Sequence, residues 1–570
     1  MGTTARKTNG QGAFGAVTHT IDWMKNHEAL LVFLMGVILF LPSIWSEASI
    51  TGKDEYLLSF RTPMEMLDRG SWLTPWLDGA PRLKKPPLLY WSILAGYDLF
   101  GINLFGARAS SVLFGAGLAA SASLLYRRLF AKSGLMAGLL ALGAMGLATQ
   151  ARMALLDLPL ALFTTLAVIF VIDWGRSGHL KWMVLSGLAL GLAFLSKGPV
   201  CFLFFGAGVV SALFVFGKWG HVLARWPHLL AGLLATLAVS LPWPLLMHHL
   251  WPNFTETVGH EMGGARKIGS LSYFFSALGG ALGLIFPWTP VLFPSIVQTA
   301  RDRLGFGRKP FWLALWFILS TLPFFFMMSF ERYLLPTLPA TCVLCAWWIE
   351  DVRPRWRGLF IRLSVCLMAL LTVCFALAAI YFHLGIAWAG VCLLLAALAV
   401  RISFFEGHER LCALVLAILV SASLGGLYPE LGINRLPDGV ENLVGSSSVA
   451  VFNSEQPSML SIRIGRSVIG LSTDEPRKVG QFNGLVFMKD DDAPAFEATA
   501  KAFGATVERE GQFRVFYSEK TWLRFARKGA TESDFETALK TRSLEGLKTV
   551  IDVYSIRPAG SPAEGGRSGQ

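Results

Sequence analysis

Apolar residues in this chain do not alternate with polar ones. They come in long unbroken stretches divided by short polar, often basic, segments. The stretches fall near 29–45, 107–125, 133–149, 153–172, 182–196, 199–217, 227–247, 272–298, 311–329, 334–350, 359–381, 384–400 and 411–428. A helix that crosses a bilayer needs about 17–25 predominantly apolar residues, so the pattern predicts an all-α polytopic membrane bundle of about 13 spans. At residue 430 the pattern changes. Short β-rich stretches ("SSVAVFN", "NGLVFMK", "QFRVFYS") then alternate with helical ones ("APAFEATAKAFG", "ESDFETALKTRSLEGLKTVI"), which predicts a C-terminal soluble α/β domain. The expected divisions are a tail over 1–28, a membrane domain over 29–429 with its first outer loop at 46–106, the α/β domain over 430–558 and a disordered tail over 559–570. The first apolar run ends "FLPSIWSEAS", without the small-residue cleavage pattern of a secretory signal, so it reads as a retained anchor.

Composition agrees with a membrane protein. Of the 570 residues 54% are hydrophobic and 15% charged, where soluble domains carry about 25% charged residues. The net charge of +12 first suggests nucleic acid, but the loops explain it. With a cytoplasmic N-terminus, the inside loops are "YRRLFAK", "DWGRSGHLK", "KWGHVLAR", "ARDRLGFGRK", "DVRPRWRG" and "RISFFEGHER", each with at least two basic residues. The short outer turns hold few, Arg152, Lys197, Arg266, Lys267 and Arg332, while the long first loop departs from the pattern in being rich in both signs. Basic residues gather on the cytoplasmic side of membrane proteins. The expected partners are therefore membrane lipids, with no nucleic acid, and the α/β domain is expected on the outer face. All seven cysteines lie in apolar runs; Cys342 and Cys345, spaced as CxxC in "PATCVLCAWW", read as small core side chains.

Against this background a few polar residues are out of place. Asp54 and Glu55 follow the first span directly, in "ITGKDEYLLSF". On a helix, neighbouring side chains diverge by about 100°, so only one of the two acids can face a given cavity. Asp157 lies inside "ARMALLDLPLALF", and an ionised Asp near the centre of a span costs about 2.5–3.5 kcal/mol. Either it pairs with Arg152 to cap a helix hairpin, or it serves chemistry. Lys197, in "FLSKGPV", either snorkels to headgroups or binds a phosphate. Arg332-Tyr333 in "SFERYLLPTLP" and Arg266-Lys267 in "HEMGGARKIG" add positive charge on the same face. Cations aimed at a departing phosphate stabilise the charge that builds on it, while a carboxylate opposite can deprotonate or orient an acceptor.

Taken in order, the first span with Asp54-Glu55, "KKPPLLYW", "ARMALLDLPLALF", "GLAFLSKGP", "LPWP", "FPWTP" and "SFERYLLPTLP" resemble the protein O-mannosyltransferase superfamily. These are multispan GT-C-type glycosyltransferases that use polyprenyl-phosphate sugars, and the nearest branch is the bacterial aminoarabinose–lipid A transferases. The resemblance covers roughly residues 25–430. It implies a bacterial inner-membrane enzyme with a periplasmic C-terminal domain. The implied reaction moves a sugar, 4-amino-4-deoxy-L-arabinose in that branch, from undecaprenyl phosphate to lipid A, lipopolysaccharide or a related envelope acceptor. Protein O-glycosylation is the alternative within the enzyme class. A transporter or flippase is the alternative outside it, and would favour inverted repeats that the sequence does not display.

Residue by residue, the resemblance implies Asp54 and Asp157 as the catalytic acids, with Lys85 in the lysine-proline motif and Lys197 and Arg332 near the donor phosphate. Tyr56, Tyr90, Tyr333 and Arg266 are further candidates for substrate contact. No cofactor is assigned. A divalent metal is the alternative; the aminoarabinose branch reads Glu-Lys-Pro with a metal-holding Glu, whereas this chain reads Lys84-Lys85-Pro86, and Lys84 is a poor ligand. His248, His249, His260 and Glu261 are the remaining metal candidates, but "HEMGG" lacks the second His of a zinc-protease helix, so they read as ordinary helix-end residues.

Overall fold

The apolar runs fold as helices. In the computed structural model, which describes residues 27–52, 54–264, 271–302, 308–327, 329–453, 459–516 and 526–559, every run holds a helix or a bent pair of helices. Six are long and apolar enough to cross a membrane: Leu104–Phe130, Asp157–Ser177, Leu180–Lys197, Arg357–Tyr381, Ile386–Ser403 and Glu409–Leu431. Two bent pairs, Trp226–Ser240 with Pro242–Leu250 (40°) and Leu271–Ile285 with Thr289–Arg301 (105°), raise the number to eight. The chain is thus a multi-pass membrane protein. By length and composition alone six to eight units qualify as crossings; glycine and proline cut several of the other runs into shorter pieces. Pro242, for example, opens the second helix of its pair, where its missing N–H costs no hydrogen bond.

The expected first outer loop, 46–106, is largely structured. It contains a π-helical turn at Glu55–Ser59, a helix at Arg61–Asp68 and a two-stranded ribbon of β1 (Trp76–Leu77) and β2 (Ala80–Pro81). It ends in the apolar helix Leu88–Phe100. At 13 residues this helix is too short to register as a span. It crosses Leu104–Phe130 so closely that a Cβ on Gly96 would lie 2.0 Å from the Gly106 carbonyl oxygen.

Beyond residue 440 five strands form one sheet: β3 (Val449–Phe452), β4 (Ile469–Leu471), β5 (Gly484–Lys489), β6 (Thr506–Val515) and β7 (Thr549–Arg557), in the order β4-β3-β5-β7-β6. β3 runs parallel to β4 and β5, and β7 is antiparallel to β5 and β6. Alternate residues of a strand face opposite sides, and the two sides have different partners. Ala450, Phe452, Val486 and Met488 pack on Phe496 of the Ala493–Ala502 helix. Val451, Phe487 and Val553 share a core with Tyr56, Phe60, Leu89 and Ile93 of the first loop. Polar contacts reinforce that seam. The Glu47 carboxylate accepts from the Leu436 N–H and from Arg463 Nη1, both at 3.0 Å, and Arg61 donates to the Val468 carbonyl at 3.0 Å. The expected tails at 1–28 and 559–570 lie almost wholly outside the described residues.

Candidate functional site

Four charges from four distant segments meet at one point. Asp157 is the first residue of its helix and Lys197 the last of the next; the two pair directly. Arg332, in the 3-10 helix Glu331–Thr337, pairs with Asp54, and its Nε lies 3.4 Å from the other oxygen of Asp157. The result is an unbroken chain Asp54–Arg332–Asp157–Lys197. Tyr333 floors it, with Lys197 Nζ 3.5 Å from the ring centroid and the Arg332 guanidinium 5.7 Å away. Lys85 adds its charge near Lys197, and its neighbour Pro86 approaches Gly198. Gly198 takes φ +79°, a conformation that glycine adopts without penalty, and so ends the helix at Lys197.

The two acids differ in exposure. Asp157 is 4% exposed along its side chain, whereas Asp54 is 44% exposed. Asp157 is committed to holding two cations side by side; Asp54 is the acid open to the mouth of the site. Lys197 has three donor hydrogens and Arg332 five, so their pairing with carboxylates leaves N–H groups for an anion.

Asp54 is placed by its neighbour. Glu55 is fully buried and its carboxylate takes four hydrogen bonds: from Arg108 Nε at 2.7 Å, Arg108 Nη2 at 2.9 Å, Thr51 Oγ1 at 2.9 Å and the Ala154 N–H at 2.9 Å. Ala154 lies just before Asp157, so one carboxylate ties the segment bearing Asp54 to the segment bearing Asp157. Sequence reasoning singled out neither Arg108 nor this role. The signal was present, since an arginine in the apolar run "LFGARASS" demands a buried partner.

Other expectations find other places. Asp157 stands at a helix start, not near a helix centre, and does not pair with Arg152. Arg152 instead donates to the carbonyls of Ala148 (2.6 Å) and Leu39 (2.7 Å) and to Ser421 (3.1 Å). Tyr56 is fully buried in the core shared with the sheet. Tyr90 is buried against Met66 and Leu94, and its hydroxyl accepts from Arg82 at 3.0 Å. Arg266 and Lys267 lie outside the described residues. Lys84 is exposed and, as an ammonium, offers no metal ligand. Among the described residues no three His, Cys, Asp or Glu side chains gather to hold a metal. His260 pairs with Glu256 one turn away at 3.5 Å, and His248 lies 3.0 Å from Thr255.

Residues 29–257 match the family model of dolichyl-phosphate-mannose-protein mannosyltransferases. The whole fold is similar to the crystal structure of ArnT from Cupriavidus metallidurans bound to undecaprenyl phosphate, with a TM-score of 0.69 at 19% identity, covering 92% of this chain and 98% of that one. The chain is 30% identical over 328 residues to undecaprenyl phosphate-alpha-4-amino-4-deoxy-L-arabinose arabinosyl transferase 1 of Pseudomonas fluorescens, covering 54% of this chain and 57% of the relative. The corresponding transferase of Pseudomonas aeruginosa is 33% identical over 333 residues, covering 55% and 57%. The match therefore spans somewhat over half the length of these curated relatives.

Proposed function

We propose that the chain is a lipid-linked-sugar-dependent glycosyltransferase that moves a sugar from undecaprenyl phosphate to lipid A or a related envelope acceptor, with 4-amino-4-deoxy-L-arabinose as the sugar. The observation that carries this reading is Asp157 holding Lys197 and Arg332 together beside the open carboxylate of Asp54. In the proposed reaction an acceptor oxygen forms a bond to C1 of the sugar. The C1–O bond to the phosphate breaks, and its electron pair leaves with undecaprenyl phosphate. Lys197, Arg332 and Lys85 stabilise that charge. Tyr333 keeps the two central cations over its ring face. An acceptor hydroxyl would lose its proton to Asp54. An acceptor phosphate is already anionic, and Asp54 would then orient it through Arg332. The relatives' names support both lipid carrier and sugar, and the undecaprenyl phosphate bound in the solved ArnT structure supports the carrier. The family's name keeps a protein hydroxyl as the second acceptor reading.

We read about thirteen crossings in an inner membrane, a cytoplasmic N-terminus and a periplasmic sheet domain beyond residue 430. The helix or bent pair within each apolar run supports the number, and the basic loops support the direction. Mass spectrometry of lipid A and of total glycoprotein from a strain lacking this chain tests the acceptor. The expected result is loss of an aminoarabinose mass increment on lipid A with glycoproteins unchanged. Loss confined to glycoproteins would move the acceptor to protein.

A further inference from the structure

A second charged cavity lies at the opposite end of the bundle. The Asp157–Ser177 helix rises about 30 Å, and near its far end Asp173 pairs with Arg128 at 2.7 Å. Lys132, just beyond Arg128, pairs with Asp351. Immediately after Asp351 opens a cavity of about 380 Å³ lined by Arg353, Arg355, Arg357, Arg362, Phe404 and Glu409. Four guanidinium groups thus face two carboxylates, Glu406 and Glu409. Only part of that positive charge is used within the protein. Arg357 pairs with Glu409 at 3.0 Å, and Arg353 donates to the Glu350 carbonyl at 2.6 Å. Arg355 is exposed and has no carboxylate partner among the described residues. Arg362 stacks its guanidinium 5.2 Å from the Phe404 ring, and its Nε is buried with no hydrogen-bond partner among the described residues.

Apolar side chains line and flank the cavity. Phe404 and Phe405 line it and are exposed, as are Trp356, Leu359 and Leu363 next to its lining residues in sequence, on or beside the helices Arg357–Tyr381 and Ile386–Ser403, both long enough to cross the membrane. Aromatic side chains at helix ends mark the headgroup level of a bilayer. We propose that this cavity binds the phosphodiester headgroup of an anionic phospholipid, with its acyl chains along Leu359, Leu363 and Phe404. Guanidinium groups match phosphate geometry through paired, charge-assisted hydrogen bonds. A buried N–H without a partner is costly until such an acceptor arrives, and basic pockets between membrane helices suit lipid headgroups. A free phosphate would meet the same arginines but leave the apolar rim uncovered.

The test uses the full-length protein in detergent and reads its thermal unfolding midpoint. Dioleoylphosphatidylglycerol is added against dioleoylphosphatidylcholine and against glycerol 1-phosphate. Phosphatidylglycerol should raise the midpoint by at least about 3 °C more than either comparison, and the rise should vanish in Arg355→Gln/Arg362→Gln. Should the double variant fold poorly, the single Arg355→Gln, which removes no ion pair, should retain fewer phosphatidylglycerol molecules in native mass spectrometry. Equal effects of the two lipids, or unchanged retention in Arg355→Gln, would overturn the proposal. The full effect from glycerol 1-phosphate would overturn the lipid assignment in favour of a soluble phosphate.

Discussion

Asp54 and Glu55 are neighbours in sequence with opposite fates. Asp54 is open at the mouth of the site, whereas Glu55 is sealed inside on Arg108. That the two must diverge was legible from backbone geometry alone. The identity of the partner was not, because Arg108 lies 53 residues away in another helix and nothing local links them. The buried pair also yields a stability prediction. Removing one member of a buried ion pair leaves the other charge uncompensated, at a cost of about 3–5 kcal/mol. Arg108→Ala should therefore lower the thermal unfolding midpoint of the purified protein sharply, and the Arg108→Ala/Glu55→Gln double variant should recover part of the loss. An unchanged midpoint in Arg108→Ala would mean that the pair contributes nothing to holding the site.

At the scale of elements, helix ends deliver the charges. Asp157 opens one helix and Lys197 closes the next, where the helix dipole stabilises a carboxylate at an N-terminus and a cation at a C-terminus. Sequence reading placed Asp157 deeper in its span because the apolar run begins before it. The overlooked clue was Pro159, which fits the first turn of a helix, where its missing N–H costs nothing. Lys197 was easier to place, since Gly198-Pro199 announces a stop. The short helix Leu88–Phe100 escaped because its length lies below that of a span, yet it begins directly after the lysine-proline segment. Its crossing with Leu104–Phe130 leaves no room for a side chain at Gly96. Gly96→Ala should force the two helices apart at a cost of about 1–3 kcal/mol, seen as a lower unfolding midpoint. A midpoint equal to the parent's would show that the crossing is looser than the structure indicates.

Over the whole molecule, each apolar run marked a helix or a bent pair of helices, though Leu88–Phe100 escaped, and the pattern could not say which units were whole spans, because bends at proline and glycine divide them. The sheet was also legible as strands and helices. Its docking was not, because the face that meets the first loop is apolar in the same alternating way as the face that meets its own helix. That docking places the sheet on the same side as Asp54, which gives a topology prediction. A cysteine introduced at Ser447 should react with a membrane-impermeant reagent added outside the cell, and one at Ser177 should not; the reverse pattern would invert the whole arrangement. The most direct test of the proposed activity returns to the open acid. Purified parent protein and Asp54→Asn are incubated with undecaprenyl phosphate-linked aminoarabinose and lipid A, with donor binding and product measured separately. The parent should form product, and Asp54→Asn should bind the donor equally while transferring at least about 10²-fold more slowly. Transfer by Asp54→Asn at the parent's rate would contradict the assignment of Asp54 to the reacting centre.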